Sequence, residues 1–164
     1  MREPFRRPVN DRAIIARCIK ELKGLAFAPP GDDVDARAPD EFILKNDNGT
    51  ALLALTVIDR RHIRFRTRAG IVKACKYEEI PTFGKLYSMN EWLDHRQWIE
   101  QYTKPGAWDR ENAAWWIEQM NRFYTKAPFP VPDSPEELEA ALQKFPVPGT
   151  ADIDHFVDYF TQID

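Results

Sequence analysis

The sequence predicts an α+β fold, in which a four-stranded antiparallel β-meander packs against one N-terminal helix and three to four C-terminal helices. Three observations predict it: residues 10–24 carry apolar side chains at helical spacing, residues 41–77 contain four short strand-like runs, and residues 88–164 contain repeated helix-capping signals. The chain has 164 residues, the size of one domain, so we expect 1–164 to form a single domain.

The first predicted element is a helix in residues 10–24. Asn10 or Asp11 can cap its first turn, and Gly24 can end it. The apolar residues between them follow a helical period: Ile14, Ile15, Cys18, Ile19 and Leu22. The next segment, AFAPPGDDVDARAPDE, is rich in proline and acidic residues and predicts an exposed connection.

The predicted meander occupies residues 41–77. Its four runs are EFILKND, TALLALTVI, HIRFRTR and GIVKACKY. The first two flank Asn48-Gly49, a pair that tolerates the positive φ angles of a tight hairpin turn. The second run is apolar on both faces, which predicts a central strand, whereas the third alternates strictly.

The predicted helical region spans residues 88–164. Ser88 stands in capping-box spacing with Glu91, and Asp109 can cap a second helix. Ser134, followed by a proline, can cap a third helix, and Thr150 can begin a fourth.

The tetrapeptide FPVP occurs twice in this region, inside proline-rich straps at 128–133 (the first strap) and 145–149 (the second strap). Proline at alternate positions favours an extended, polyproline-like backbone. We expect each strap to lay a phenylalanine and a valine on the body of the protein. The alternative is that a strap is a ligand for an aromatic groove on a partner.

The tetrapeptide WIEQ also occurs twice, at 98–101 and 116–119. At 100° per residue, Trp98 and Trp115 fall off the apolar stripes of their helices, whereas Trp116 falls within its stripe. The two copies are therefore predicted to use their tryptophans differently, so that WIEQ is a coincidence or an old duplication.

Trp98 and Trp115 allow two interpretations. Another element of the fold can cover them, or they can anchor a protein partner, because interface centres are enriched in tryptophan and arginine. In the second case Arg96 and Arg122 would complete the partner-binding patch.

A basic stretch is the second candidate surface. From residue 60 to residue 76 there is no acidic residue, and the candidate nucleic-acid contacts are Arg60, Arg61, His62, Arg64, Arg66, Arg68, Lys73 and Lys76. On a strand, alternate residues share one face at intervals of about 6.6 Å, and guanidinium groups suit phosphate oxygens. Residues 133–164 contain eight acids and one lysine, so self-pairing of the two regions is an alternative, as is an acidic protein partner.

Catalytic and metal-binding patterns are sparse. His62 beside the arginines is the candidate general base of a small nuclease. Asp152, His155 and Asp158 are a candidate metal set, and Glu91 with His95 is another, because residues three or four apart stack on one helix face. No glycine-rich phosphate loop, zinc-type Cys-His spacing or nucleophile elbow occurs, and we predict no cofactor.

Composition narrows the class of protein. The net charge is -3, and no apolar run approaches the length of a membrane span, so we expect a cytoplasmic protein without a membrane partner. The sequence predicts a small non-enzymatic binding protein, of adaptor, inhibitor or immunity type, that engages a macromolecule, most readily a protein. The alternatives are a nucleic-acid-binding protein and, further, a small nuclease or metal-dependent enzyme.

Overall fold

A computed structural model describes residues 8–24, 41–45, 47–57, 62–67, 72–123, 128–145 and 147–157. Its helices are α1 (Arg12–Lys23), α2 (Pro81–Glu100), α3 (Arg110–Asn121) and α4 (Pro135–Lys144). Its strands are β1 (Glu41–Lys45), β2 (Ala51–Val57), β3 (His62–Thr67) and β4 (Val72–Lys76). Short 3-10 turns cover Tyr77–Glu79, Gln101–Thr103 and Thr150–His155.

The predicted α+β class, a meander packed against helices, is wrong, because the chain is mainly helical. The helices have 12, 20, 12 and 10 residues, whereas the four strands have 5 to 7. The strands pair antiparallel in the order β1-β2-β3-β4, but the extensive contacts of each strand are with neighbouring strands. Helix α2 instead has extensive contacts with α1, with α3 and with the turn Thr150–His155.

The described helices share one hydrophobic core. Where side chains are described, the buried hydrophobic residues belong to helices, to the turn Thr150–His155 or to residues adjoining these elements and in the first strap. The largest almost completely buried hydrophobic side chains are Ile80, Ile99, Ile117, Met120, Leu138 and Ile153. The described helices and the turn Thr150–His155 therefore share one core around α2.

The first helix begins as the sequence predicts. The Asp11 carboxylate accepts hydrogen bonds from the backbone N–H groups of Ala13 (3.0 Å) and Ile14 (3.3 Å), which would otherwise lack helical partners. Ile14 and Cys18, one turn apart, are buried against the core. Asp11 rather than Asn10 is the cap.

The start of α2 differs from the prediction of a cap at Ser88. The helix begins seven residues earlier, at Pro81, and Ser88 lies inside it with its Oγ donating to the Gly84 carbonyl (2.9 Å). The capping acceptor comes from α1: Glu21 accepts from the Thr82 backbone N–H (3.0 Å) and from the Thr82 hydroxyl (2.6 Å). A distant residue thus supplies the cap, and the local sequence marks this helix start only by Pro81 at the first helical position.

The other caps follow local sequence. Asp109 accepts from the Asn112 N–H (3.1 Å), and Ser134 accepts from the Glu137 N–H (3.1 Å), with Pro135 at the first helical position. In place of the fourth predicted helix there is the short 3-10 turn Thr150–His155. The Asp152 carboxylate accepts a hydrogen bond from the Gly149 N–H (3.0 Å) at the start of this turn.

Candidate protein-interaction surface

The two WIEQ copies meet in the folded chain. The rings of Trp98 on α2 and Trp116 on α3 stack with centroids 6.0 Å apart and planes 15° apart. The next residues, Ile99 and Ile117, are both 0% exposed. The prediction that the copies use their tryptophans differently is therefore wrong: both place isoleucine in the core and tryptophan in one shared, partly buried stack.

Trp115 is the exposed member of the same group. Its side chain is 52% exposed, and its ring stands edge-on against Trp116, with centroids 4.9 Å apart and planes 85° apart. Offset and edge-to-face arrangements are the favourable geometries of aromatic pairs. We call Trp98, Trp115 and Trp116 the tryptophan face, in which two partly covered rings support an exposed third.

His95 supports the tryptophan face from below. Its ring lies 5.3 Å from Trp116 and 5.7 Å from Phe123, and its Nδ1 is 2.5 Å from the carbonyl oxygen of Glu91. Since a carbonyl only accepts, Nδ1 is the donor. Burial lowers the pKa of His95 below its ordinary value, which favours the neutral ring. This arrangement uses His95 in packing, whereas the sequence suggested it, with Glu91, as a candidate metal ligand.

Charged residues lie around Trp115 on the outer side of α3. Glu111, Glu118 and Arg122 are exposed and stand four before, three after and seven after it, which is the spacing of one helix face. In the described part of the chain no ion pair within 4 Å involves these three side chains. Trp115 thus projects from a charged, accessible helix face, and Arg122 lies on it as the sequence suggested.

Arg96 does not belong to the predicted partner-binding patch, because the residue is only 8% exposed. Its guanidinium donates to the carbonyl oxygens of Leu142 (2.6 Å) and Phe145, at the C-terminal end of α4. Burial lowers the pKa of Arg96, and Glu100, 3.5 Å from its Nε, opposes that effect. A cation at this position satisfies carbonyls that have no partner inside the helix, so Arg96 fastens α4 to α2.

The basic stretch is described only through its backbone. His62, Arg64 and Arg66 lie on β3 and Lys73 and Lys76 on β4, while Arg60, Arg61 and Arg68 lie outside the described residues. The register pairs His62 with Lys76 and Arg64 with Ala74, whereas Lys73 pairs with Phe65. Lys76 therefore belongs to the same alternating set as the basic residues of β3, and Lys73 belongs to the other set.

The acidic C-terminal segment has described partners in the helical body. Asp154 lies 2.9 Å from Arg17 on α1 and 3.3 Å from Lys85 on α2, and these cations hold the pKa of its carboxyl below the ordinary range. Asp133 lies 3.0 Å from Arg110 at the start of α3. Asp154 thus links the turn Thr150–His155 to α1 and α2, and Asp133 links the first strap to α3.

The geometry gives little support to the candidate catalytic and metal-binding residues. His155 Nδ1 lies 3.9 Å from Asp152, and Asp158 is outside the described residues. Over the ranges that the structure describes, no three His, Cys, Asp or Glu side chains are grouped to hold a metal ion. Burial raises the pKa of the Cys18 thiol to about 12, so this thiol is not an activated nucleophile.

Sequence reasoning missed Trp116 as a site residue, although the adjacent Trp115-Trp116 pair was a visible signal. Within the described ranges, no helix combines the length and the apolarity needed to cross a membrane. Comparison of the chain with models of protein families, with curated proteins and with solved structures found no match.

Proposed function

We propose that this chain is a non-enzymatic binding protein that docks a protein partner through the tryptophan face. The observation that carries the proposal is Trp115, which is 52% exposed while its ring is braced against Trp116. Tryptophan is enriched among the residues that dominate binding energy at protein interfaces. A braced ring also loses little conformational freedom when a partner covers it.

The surroundings of Trp115 support a protein partner. An interface typically combines a buried aromatic anchor with a polar rim, and Glu111, Glu118 and Arg122 supply charged groups around this anchor. Trp98 and Trp116 broaden the apolar contact area, since both are only partly buried. A partner with a pocket for one indole ring, bordered by charged groups of both signs, fits this surface.

The experiment compares co-purification of partners by affinity-tagged wild type, Trp115→Ala and Glu139→Ala, expressed at equal levels in the source cells. Glu139 is exposed on α4 and serves as the surface control. We expect Trp115→Ala to lose the partner and keep its melting temperature within a few degrees, because a half-exposed ring contributes little core. Glu139→Ala should retain the partner. A Trp115→Ala variant that retains the partner, or that unfolds, would refute the proposal.

The register favours nucleic-acid binding by β3 as a second candidate function. His62 pairs with Lys76, so the basic residues of β3 continue onto β4. One acidic residue interrupts this set: Thr56 pairs with both Arg64 and Glu41, so Glu41 lies in the same cross-strand row as Arg64. Anisotropy of labelled oligonucleotides, titrated with protein at several salt concentrations, tests it. Tight binding with a steep salt slope that Arg64→Ala reduces would support this function, and no binding at low salt would exclude it.

A further inference from the structure

The burial of the first strap repeats with a period of three. Phe129 and Pro132 are buried, whereas Pro128, Pro130 and Val131 are exposed. A polyproline-type helix has three residues per turn, so residues three apart share one edge. Residues 129 and 132 thus occupy the covered edge, while one exposed edge carries Pro128 and Val131 and the other carries Pro130 and Asp133.

The backbone of this segment has little freedom. Proline fixes φ at positions 128, 130 and 132, and a residue that precedes proline is restricted to extended conformations, which applies to Phe129 and Val131. The Asn121 side chain adds two hydrogen bonds: its Oδ1 accepts from the Phe129 N–H (2.6 Å), and its Nδ2 donates to the Phe129 carbonyl (2.9 Å). The strap is therefore held extended from the body side.

The second strap shows the same orientation. Phe145 and Pro148, again three apart, are partly covered, and Val147 between them is 64% exposed. The Phe145 ring packs against Phe129 at 4.8 Å, and Arg96 holds the Phe145 carbonyl. In both copies phenylalanine anchors the strap, and valine points away from the body, which corrects the prediction that each strap lays its valine on the body.

Acidic residues follow the proline and valine residues of the first strap. Glu136, Glu137 and Glu139 are exposed on the following helix, while Asp133 is paired with Arg110. The only cation within α4 is Lys144, at its far end. A surface that accepts the strap therefore meets carboxylates next to proline and valine.

We propose that the first strap is a preformed polyproline-type ligand for a protein partner whose groove is lined by aromatic side chains and bordered by cations. Aromatic grooves recognise such segments by packing against two edges of the helix. The first strap presents one edge of Pro128 and Val131 and one edge of Pro130 and Asp133, while the third edge is fixed on the body. Because the backbone is already extended and anchored, docking costs little conformational entropy. The residues of this surface differ from those of the tryptophan face, so either proposal can stand without the other.

The test is titration of the isotopically labelled full chain with three purified probes that carry aromatic grooves: an SH3, a WW and an EVH1 domain. We expect at least one probe to shift the NMR signals of Val131 and Asp133, with an affinity that falls as salt rises. Val131→Asp and Pro130→Ala should each weaken this binding by about tenfold or more, which corresponds to about 1.4 kcal/mol. Neither change removes a buried side chain, so the melting temperature should stay close to that of the wild type.

Two controls make the outcome decisive. Val147→Asp, the matched change in the second strap, should leave binding unchanged, and a synthetic peptide of residues 127–134 should bind no tighter than the full chain. Absence of shifts with all three probes would overturn the proposal. Binding by the free peptide but not by the full chain would also overturn it, because the groove would then read the edge that the fold buries.

Discussion

The two duplicated tetrapeptides of this chain, WIEQ and FPVP, share one kind of contact but bury different residues. The WIEQ copies stack Trp98 on Trp116, and the FPVP copies pack Phe129 against Phe145. In each pair, the aromatic rings of the two copies contact one another. The difference lies in what is buried: WIEQ buries isoleucine and leaves tryptophan partly accessible, whereas the FPVP copies cover phenylalanine and expose valine.

The means of attachment differ as well. The WIEQ copies lie within helices, where backbone groups are satisfied by the helix itself, so apolar packing alone can hold them. The straps are extended, and polar side chains from helices supply hydrogen bonds to their backbone: Asn121 for Phe129 and Arg96 for Phe145. A helical repeat needs only packing, whereas an extended repeat also needs partners for its backbone.

The largest expected effect tests whether the WIEQ copies are equivalent. Ile99→Ala and Ile117→Ala should each lower the free energy of unfolding by about 2–5 kcal/mol, because both side chains are fully buried and leave cavities. Urea unfolding of the two variants beside Val147→Ala, an exposed control, measures this. If one isoleucine variant is as stable as the control, the equivalence of the copies is lost.

A somewhat smaller effect tests the polar attachment of the second strap. Arg96→Met keeps the aliphatic stem but removes the donors to the Leu142 and Phe145 carbonyls, and we expect a loss of about 1.5–3 kcal/mol. Arg122→Met on the exposed end of α3 is the matched control and should change stability by less than about 0.5 kcal/mol. Equal effects of the two substitutions would show that the buried hydrogen bonds of Arg96 contribute nothing.

The stack between the WIEQ copies should contribute less than their isoleucines. Trp98→Ala removes a partly buried ring and its stacking on Trp116, a pair interaction of about 0.5–1.5 kcal/mol beyond area burial. A double-mutant cycle with Trp116→Ala, measured by urea unfolding, isolates that coupling. Additive single and double losses would mean that the rings touch without stabilising one another.

The smallest expected effect is a pH dependence beneath the tryptophan face. Burial lowers the pKa of His95 in the folded chain below its ordinary value of 6.5. As the pH drops below 6.5, His95 therefore binds a proton more readily in the unfolded chain than in the folded chain. Stability should therefore fall as the pH drops below about 6.5. His95→Phe keeps a ring between Trp116 and Phe123 and should flatten this dependence between pH 7 and 5, whereas an unchanged slope would exclude His95 as its source.

What the sequence by itself determined is local. The caps at Asp11, Asp109 and Ser134 connect residues two or three positions apart, so their signals lie within one turn of the helices that they begin. The outward position of Trp115 follows likewise from the helical period, and Gly49 has the positive φ of 80° that its Asn-Gly pair predicts. Each depends on interactions within a few residues.

Only the tertiary structure decided the features that join distant residues. The cap that starts α2 comes from Glu21, 61 positions before Thr82. The carbonyl groups that accept hydrogen bonds from Arg96 lie 46 and 49 positions after it. The stacking of Trp98 on Trp116 likewise requires α2 to pack against α3. Periodicity shows which side of an element is apolar but not which element covers it. For that reason the α+β class and the exposed place of Arg96 were wrong, whereas the caps at Asp11, Asp109 and Ser134 were predicted correctly.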